Sequence, residues 1–510
     1  MIIHKEREIN QIKIGAIISY CTILFNIISG LIYTPWMVKQ IGQSDYGLYT
    51  LSISLMGMFA MDFGIGSSVS RFISKYRALG DERKISEFLG IIYKLYLLIA
   101  SIIAIILIIF FTYINEIYTQ LTPIEIEKLK VIYCISGLFT VISFQFTPLN
   151  GIIISYEKFI FQKSLDLVQK ILVVILMIIA LNKGYGLYSL VLVNTIIGIL
   201  MIIIKLRYVK TQIYHNIDIR CNDKSILREI LKFSIWTTII MVAQRFIINI
   251  TPSILGAFSG TGQISIFSVA MTIEGYVYTF STALSGMFLP KVTNMIYKNN
   301  SRNLDEIEKL MIRVGRIQLF IVGCIISIFA SVGSEFIAFW MGDSFKESYI
   351  VATLLIITSL VTVTQEIGNT MLIATNKIKY DAISVGVVAS ISFSLSMFLS
   401  KYLGAIGAGI SIFIGNFIGR IIVKNYIYIK VLGLNIRKFF KECHLSMAIP
   451  IMITFFIGRY SLYRFKATSM TMFIIKVLIL IFIYSSLMWI ISVNRLEKDE
   501  IINSIKKKNI

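Results

Sequence analysis

Runs of about 20 consecutive apolar residues recur along almost all of this 510-residue chain, and they constrain its fold more than any other feature. A helix needs about 20 such residues to cross roughly 30 Å of hydrocarbon. Hydrophobic residues make up 56% of the sequence and charged residues only 15%, whereas a soluble domain keeps roughly a quarter of its residues charged. The sequence therefore predicts an all-α polytopic membrane protein.

The apolar runs predict fourteen transmembrane helices. The first run, Ile14 to Trp36, is longer than the apolar region of a signal peptide and ends without a cleavage site, so it is expected to stay in the membrane. The helices are predicted at about 14–36, 46–70, 88–113, 130–154, 164–181, 185–205, 233–255, 263–290, 314–340, 349–374, 380–400, 404–424, 444–459 and 470–493.

Basic residues indicate the orientation of these helices. With the N-terminus inside, most of the 49 lysines and arginines fall on cytoplasmic links, as the positive-inside rule requires. An even number of helices then places both termini in the cytoplasm. The formal charge of +21 thus reflects topology, and no nucleic-acid partner is expected. The basic link from Asn303 to Arg316 has apolar residues at helical spacing and is predicted to lie at the membrane interface.

The chain repeats itself at a spacing of 218 or 219 residues. Gly42 and Gly260 precede the second and eighth helices, and Asn150 matches Asn369. Six helices separate the halves, so both halves enter the membrane in the same sense and form a parallel repeat with a substrate cleft between its lobes. The predicted N-terminal lobe, C-terminal lobe and final helix pair with cytoplasmic tail cover 1–210, 211–435 and 436–510.

Several chemistries have no support in the sequence. The five cysteines are scattered without the spacing of metal ligands, so no metal site is expected. All three histidines fall at a terminus, in a link or at an interface, and the chain carries no Walker A motif. The sequence therefore predicts neither an enzyme nor an ATP-hydrolysing pump.

Short motifs around the second and eighth helices resemble one family. The segment after helix 1 reads I-G-Q-S-D-Y-G-L-Y, helix 2 contains D-F-G-I-G, and the following link reads K-Y-R-A-L-G-D. These motifs resemble the polysaccharide transporter family, the Wzx-type O-antigen or lipid-linked oligosaccharide flippases of the MOP exporter superfamily. The second half carries the family's companion segments. The five segments cover 41–49, 62–66, 75–81, 262–270 and 283–291.

The resemblance implies a MATE/MOP-like fold of two six-helix lobes plus two C-terminal helices. It also implies a flippase that moves a lipid-linked, undecaprenyl-pyrophosphate type oligosaccharide across the bacterial cytoplasmic membrane by alternating access, for surface polysaccharide biosynthesis. The expected partners are that glycolipid, membrane lipids and other polysaccharide assembly proteins, with no cofactor beyond a coupling proton or sodium ion. Three alternatives stay open: a MATE-like drug exporter, a lipid II-type flippase of cell-wall or spore synthesis and, more remotely, a membrane glycan-processing enzyme.

Ionisable residues inside the predicted helices are the candidate substrate site, because each costs about 2.5–3.5 kcal/mol at the bilayer centre. Arg245 and Glu274 fall near the midplane of helices 7 and 8. The fork of a guanidinium suits phosphate, so Arg245 is predicted to bind an anionic head group, and a structural Arg–Glu pair is the alternative. Lys94 and Arg420 complete the predicted substrate-binding set, with snorkelling to the interface as their alternative role.

A second set of ionisable residues is predicted to gate transport or couple it to an ion. Asp62 lies in the D-F-G-I-G motif, where the resemblance implies a structural or gating role. Glu366 is a candidate proton or sodium site, and Asp166 and Lys170 share the cytoplasmic half of helix 5. Lys476, in helix 14, is expected to snorkel outward.

Overall fold

The computed structural model describes residues 2–61, 63–213, 218, 220, 224–282, 288–298, 303–494, 497 and 498. These residues form helices and connecting turns without a β-strand among them, so the predicted all-α class is confirmed. Ten described helices are long and apolar enough to span a membrane, or eleven if one bent pair counts as a single span. The chain is a multi-pass membrane protein, and the number fourteen is not confirmed.

Contacts divide the chain into two compact units. The N-terminal unit comprises Met1–Ser268 with Phe393–Ala408, and the C-terminal unit comprises Val269–Ser392 with Gly409–Ile510. The helices are α1 (Ile2–Ile41), α2 (Gln43–Gly57), α3 (Ile65–Ala78), α4 (Glu82–Thr112), α5 (Ile114–Ile117), α6 (Pro123–Gln145), α7 (Pro148–Ser155), α8 (Phe159–Asn182), α9 (Gly186–Gln212), α10 (Lys224–Phe258), α11 (Thr261–Thr282), α12 (Leu289–Lys298), α13 (Asn303–Trp340), α14 (Glu347–Ile357), α15 (Ser359–Thr362), α16 (Glu366–Ala374), α17 (Ile378–Asn416), α18 (Lys424–Leu432), α19 (Ile436–Phe439), α20 (Ser446–Arg464) and α21 (Met470–Leu487).

Several predicted helices are interrupted. The predicted helix 46–70 consists of α2 and α3, separated by a break in which Phe63 and Gly64 have φ angles of 52° and 67°. The predicted helix 349–374 consists of α14, α15 and α16, with a bend of 59° before α16. Hydropathy depends on composition and cannot locate such breaks, because the residues on both sides of each break are apolar.

The internal repeat extends to the backbone conformation. A left-handed φ is uncommon outside glycine, so its recurrence at a fixed spacing is informative. Three pairs of residues, 218 or 219 apart, share it: Gly42 and Gly260, Gly186 and Gly404, and Glu157 and Asn376.

The last two long helices, α20 and α21, pack against α13 within the C-terminal unit. Close approach is possible because glycines face their neighbours: a Cβ added to Gly323 would lie 2.9 Å from the Tyr484 hydroxyl, and one added to Gly458 would lie 2.3 Å from Ser331 Oγ. The Tyr484 hydroxyl donates a hydrogen bond to the Phe320 carbonyl at 2.9 Å. The two C-terminal helices are therefore an integral part of this unit.

Two charged residues of α13 bind α21 and the segment that follows it. Arg316 is 5% exposed and donates to both carboxylate oxygens of Glu497 at 2.6 and 2.9 Å. Lys476 pairs with Glu335 at 2.8 Å, so the expectation that it snorkels outward is wrong. The interfacial helix expected at 303–316 is also wrong, because this segment is the start of α13 and its Ile307 is 1% exposed in the protein core.

Candidate functional site

A cavity of about 510 Å³ lies inside the N-terminal unit. Its wall comes from α1, α2, α6, α8 and α9, and it contains polar side chains such as Asn26, Tyr49 and Asn194. Lys170, on α8, is the one charged side chain among the described residues that line it. The volume falls within the roughly 300–1,000 Å³ typical of small-molecule sites.

Hydrogen bonds fix some polar side chains of this wall and leave another without a partner among the described residues. The Asn194 amide donates to the Tyr49 hydroxyl at 3.0 Å and to the Leu190 carbonyl at 3.1 Å, which holds both side chains in place. The Tyr33 hydroxyl is buried and has no hydrogen-bond partner among the described residues. A buried hydroxyl without a partner loses free energy, so Tyr33 is available to donate to a bound polar group.

A second cavity of about 150 Å³ adjoins the first and shares Phe139 and Ser143 with it. Its charged lining residue is Lys205 of α9. Lys205 Nζ donates to Asn150 Oδ1 at 3.0 Å. The Gln162 amide donates to the same oxygen at 3.2 Å. Each of the two adjoining cavities is thus lined by one lysine, Lys170 in the larger and Lys205 in the smaller.

The charges around these cavities are predominantly positive. Spacing along α8 places Lys163, Asp166 and Lys170 on one stripe of the helix. Asp166 accepts a hydrogen bond from Gln162 at 3.3 Å, and Lys205, Lys163 and Lys170 all act on it electrostatically. One carboxylate therefore faces three ammonium groups, and this cluster has an excess of positive charge.

A separate polar cluster lies inside the C-terminal unit. Lys424 Nζ donates to Asp381 Oδ1 at 2.7 Å and to Asn369 Oδ1 at 3.3 Å. The Asn369 amide in turn donates to Glu366 Oε1 at 3.3 Å. Arg420 acts electrostatically on Glu366. Carboxylates and a shared amide in one buried network provide oxygen ligands of the kind that bind protons or small cations.

Arg420 and Glu274 belong to the same cluster. Arg420 lies in the π-helical segment Phe417–Val423, and such segments are frequent at functional sites. It is the charged side chain that acts electrostatically on Glu274. Its Nε is buried without a hydrogen-bond partner among the described residues. Arg420 therefore interacts electrostatically with Glu274, a second residue of the predicted substrate-binding set, and with Glu366, a predicted coupling residue.

The remaining predicted residues do not gather in these places. Arg245 is half-buried on α10 in the N-terminal unit, and Lys94 is half-buried on α4. Neither lines either of the two cavities. Asp62 lies outside the described residues. The roles of all eight predicted residues stay predictions.

Six residues of the two clusters could not be recognised from the sequence: Asn150, Gln162, Lys163, Lys205, Asp381 and Lys424. Lys205 and Lys424 fall at the ends of the predicted helices 185–205 and 404–424, where the positive-inside rule counts them as cytoplasmic basic residues. A signal was present nevertheless. Asn150 and Lys205 are 219 residues from Asn369 and Lys424, and each lysine donates to the asparagine of its own half.

Residues 13–297 match the profile of a family described as polysaccharide biosynthesis protein. The fold is similar to that of the lipid II flippase MurJ in an inward-closed conformation, at 16% identity and a TM-score of 0.71, over 93% of this chain and 98% of that one. It is also similar to an inward-facing multidrug resistance MATE family transporter of the MOP superfamily, at 14% identity and a TM-score of 0.64, over 79% and 98% of the two chains. No curated protein sequence matches the chain. The predicted MATE/MOP-like fold is confirmed.

Proposed function

Because the chain belongs to the polysaccharide biosynthesis protein family, we propose that it is a flippase that moves a lipid-linked oligosaccharide between the leaflets of the membrane. The observation that carries the proposal is the family match together with a fold shared with a lipid II flippase. The proposed location is the bacterial cytoplasmic membrane with both termini inside, and the proposed substrate is of the undecaprenyl-pyrophosphate type. The proposal includes no catalytic step.

The charges of the N-terminal unit support an anionic substrate. Lys170 and Lys205 line adjoining cavities, and lysine binds phosphate as a point charge. A cavity built for cationic drugs is expected to carry an excess of carboxylates instead, because opposite charges stabilise one another in a low-dielectric site. The positive cavities therefore favour the flippase over the drug exporter.

The polar cluster of the C-terminal unit supports coupling to an ion. Glu366, Asp381 and Glu274 supply three carboxylates, and Arg420 and Lys424 supply two cations. A group with one carboxylate in excess gains stability when it takes up a proton or a sodium ion. We propose that uptake and release of that ion by Glu366 and its neighbours drives transport.

Loss of the gene tests the proposal. The membrane of a deletion strain is expected to accumulate lipid-linked repeat units in its cytoplasmic leaflet and to lose surface glycan, and the wild-type chain is expected to restore both. Accumulation of lipid II in place of a repeat unit would redirect the substrate to cell-wall synthesis. Normal surface glycan combined with lost efflux of cationic dyes would refute the flippase and support the drug exporter.

A further inference from the structure

We propose that Lys170 and Lys205 form an anion-binding site inside the N-terminal unit, which takes the diphosphate or an acidic sugar of the substrate. This inference rests on the proposed function and names the part of the substrate and the residues that bind it. The site consists of the 510 Å³ and 150 Å³ cavities, which share Phe139 and Ser143.

The first observation is the state of the two lysines. Lys205 has a neutral partner, the Asn150 side chain, at 3.0 Å. Lys170 makes no hydrogen bond and no close ion pair with another described residue, and it acts on Asp166 only at longer range. Charged groups inside a membrane protein are costly unless they are paired. A bound anion supplies the counter-charge that these lysines lack.

The second observation comes from the internal repeat. Lys205 and Lys424 are 219 residues apart and each donates to an asparagine, at positions that are also 219 apart. Lys424, however, makes an ion pair with Asp381 at 2.7 Å. The residue 219 positions before Asp381 is Gln162, an uncharged amide. The lysine at this repeat position is therefore paired with a carboxylate in the second half of the chain and hydrogen-bonded to a neutral amide in the first.

The position of Lys170 strengthens this contrast. The residue 219 positions after it is Ala389, so the second half carries no cation there. Lys170 and Gln162 thus both depart from the repeat in the direction of positive charge. Asp166 departs in the opposite direction, since Val385 lies 219 positions after it, but Lys163 matches Ala382, so the first half keeps a net gain of positive charge. The excess charge belongs to a ligand site that only the N-terminal unit carries.

The walls of the cavities fit a ligand with more than one charged oxygen. Two lysines on adjoining cavities are suited to an anion with two separated charges, such as a diphosphate. The Tyr33 hydroxyl, buried without a partner among the described residues, lines the larger cavity and is a neutral donor for the same ligand. A neutral donor beside a cation orients the bound anion and adds to its affinity.

Binding to the purified full-length chain in nanodiscs of uncharged lipid tests the site. Farnesyl diphosphate is the lipid diphosphate probe, a uronate-containing disaccharide is the acidic sugar probe, and farnesol is the uncharged control. We expect at least one anionic probe to bind and farnesol to bind at least about tenfold more weakly. Higher salt is expected to lower the affinity of the anionic probe. Equal binding of farnesol and farnesyl diphosphate, together with no binding of the disaccharide, would overturn the proposal.

Variants connect that binding to the residues. Lys170→Gln and Lys205→Gln are each expected to lower the affinity of the bound probe about tenfold, the effect of one lost charged contact. Gln162→Asp keeps both lysines but recreates the pair of the second half, so it is expected to have a similar effect. The matched control is Lys476→Gln combined with Glu335→Gln, which removes a buried ion pair of the C-terminal unit and should bind like the wild type.

Two results would contradict the site. One is wild-type affinity in Lys170→Gln, Lys205→Gln and Gln162→Asp alike. The other is a loss of affinity in the Lys476 and Glu335 control as large as in Lys205→Gln. The melting temperature of every variant is measured in parallel. If a lysine variant fails to fold, the affinity of Gln162→Asp serves as the test of the site.

The site and the proposed function can fail separately. If the deletion strain keeps its surface glycan while anion binding still depends on Lys170 and Lys205, the flippase proposal fails and the site remains. If the deletion strain loses its glycan but the folded lysine variants restore it fully and bind as the wild type does, the flippase proposal remains and the site fails.

Discussion

Replacement of Lys476 by methionine is expected to destabilise the attachment of α21 to α13. Lys476 Nζ lies 2.8 and 3.1 Å from the two carboxylate oxygens of Glu335, and the side chains are 10% and 3% exposed. Glu335 also accepts a hydrogen bond from the Ala467 backbone N–H at 2.9 Å. Removal of one partner from a buried ion pair costs about 3–5 kcal/mol, because it leaves an uncompensated charge.

Thermal unfolding of the purified protein measures this cost. For a unit of roughly this size, such a loss lowers the melting temperature on the order of 10 °C. Glu335→Gln combined with Lys476→Met removes both charges and should recover most of the loss, since replacing both members of a buried pair is often neutral. The double variant therefore separates the cost of an unpaired charge from that of lost packing.

An exposed ion pair of similar length provides the matched control. Lys346 lies 3.0 Å from Asp343, and the two side chains are 65% and 79% exposed. Exposed pairs contribute only about 0.2–1 kcal/mol, so Lys346→Met should hardly change the melting temperature. The reasoning fails if Lys476→Met lowers the melting temperature no more than Lys346→Met does.

Three further predictions concern packing and charge in both units. Arg316→Lys should lower the melting temperature by several degrees, because a lysine has one nitrogen in place of the two with which Arg316 donates to Glu497; an unchanged melting temperature would show that the second nitrogen is not needed. Although burial raises the pKa of Glu497, hydrogen bonds from Arg316 and from the Asn494 N–H outweigh it and hold the pKa below its usual value of about 4.3. The stability this carboxylate contributes is thus complete above that value and lost as the pH falls through the lower folded pKa, so a melting temperature that falls on acidification as steeply in Glu497→Gln as in the wild type would contradict the linkage. Gly47→Ala should destabilise the protein, because its Cβ would lie 2.3 Å from the Thr261 carbonyl oxygen, whereas Gly386→Ala, with no atom within 4 Å, should not; the measurement is again thermal unfolding.

The class of the protein could be predicted from the sequence because membrane insertion depends on local composition. A run of about 20 apolar residues is costly to leave in water wherever it lies in the chain, so hydropathy identified a helical membrane protein. The repeat could be predicted for a similar reason. Its glycines at 42 and 260 adopt left-handed φ angles of 85° and 83°, a conformation that glycine tolerates without strain.

The pairing of charges could not be predicted from the same information. Lys205 and Lys424 look alike in sequence, each a lysine at the end of an apolar run. Only the packing of neighbouring helices brings Asp381 to one of them and Gln162 to the network of the other. Lys476 shows the same limit, because its partner Glu335 is 141 residues away in the chain.

The sequence by itself therefore determined that this protein lies in a membrane, that it is helical, which family it resembles and that its halves repeat. Each of these is encoded in short stretches of the chain. The tertiary structure alone decided where the helices break, how α20 and α21 are fastened and which lysines remain positive. These features depend on contacts between residues far apart in sequence, and a buried charge is stable only in relation to the group that faces it.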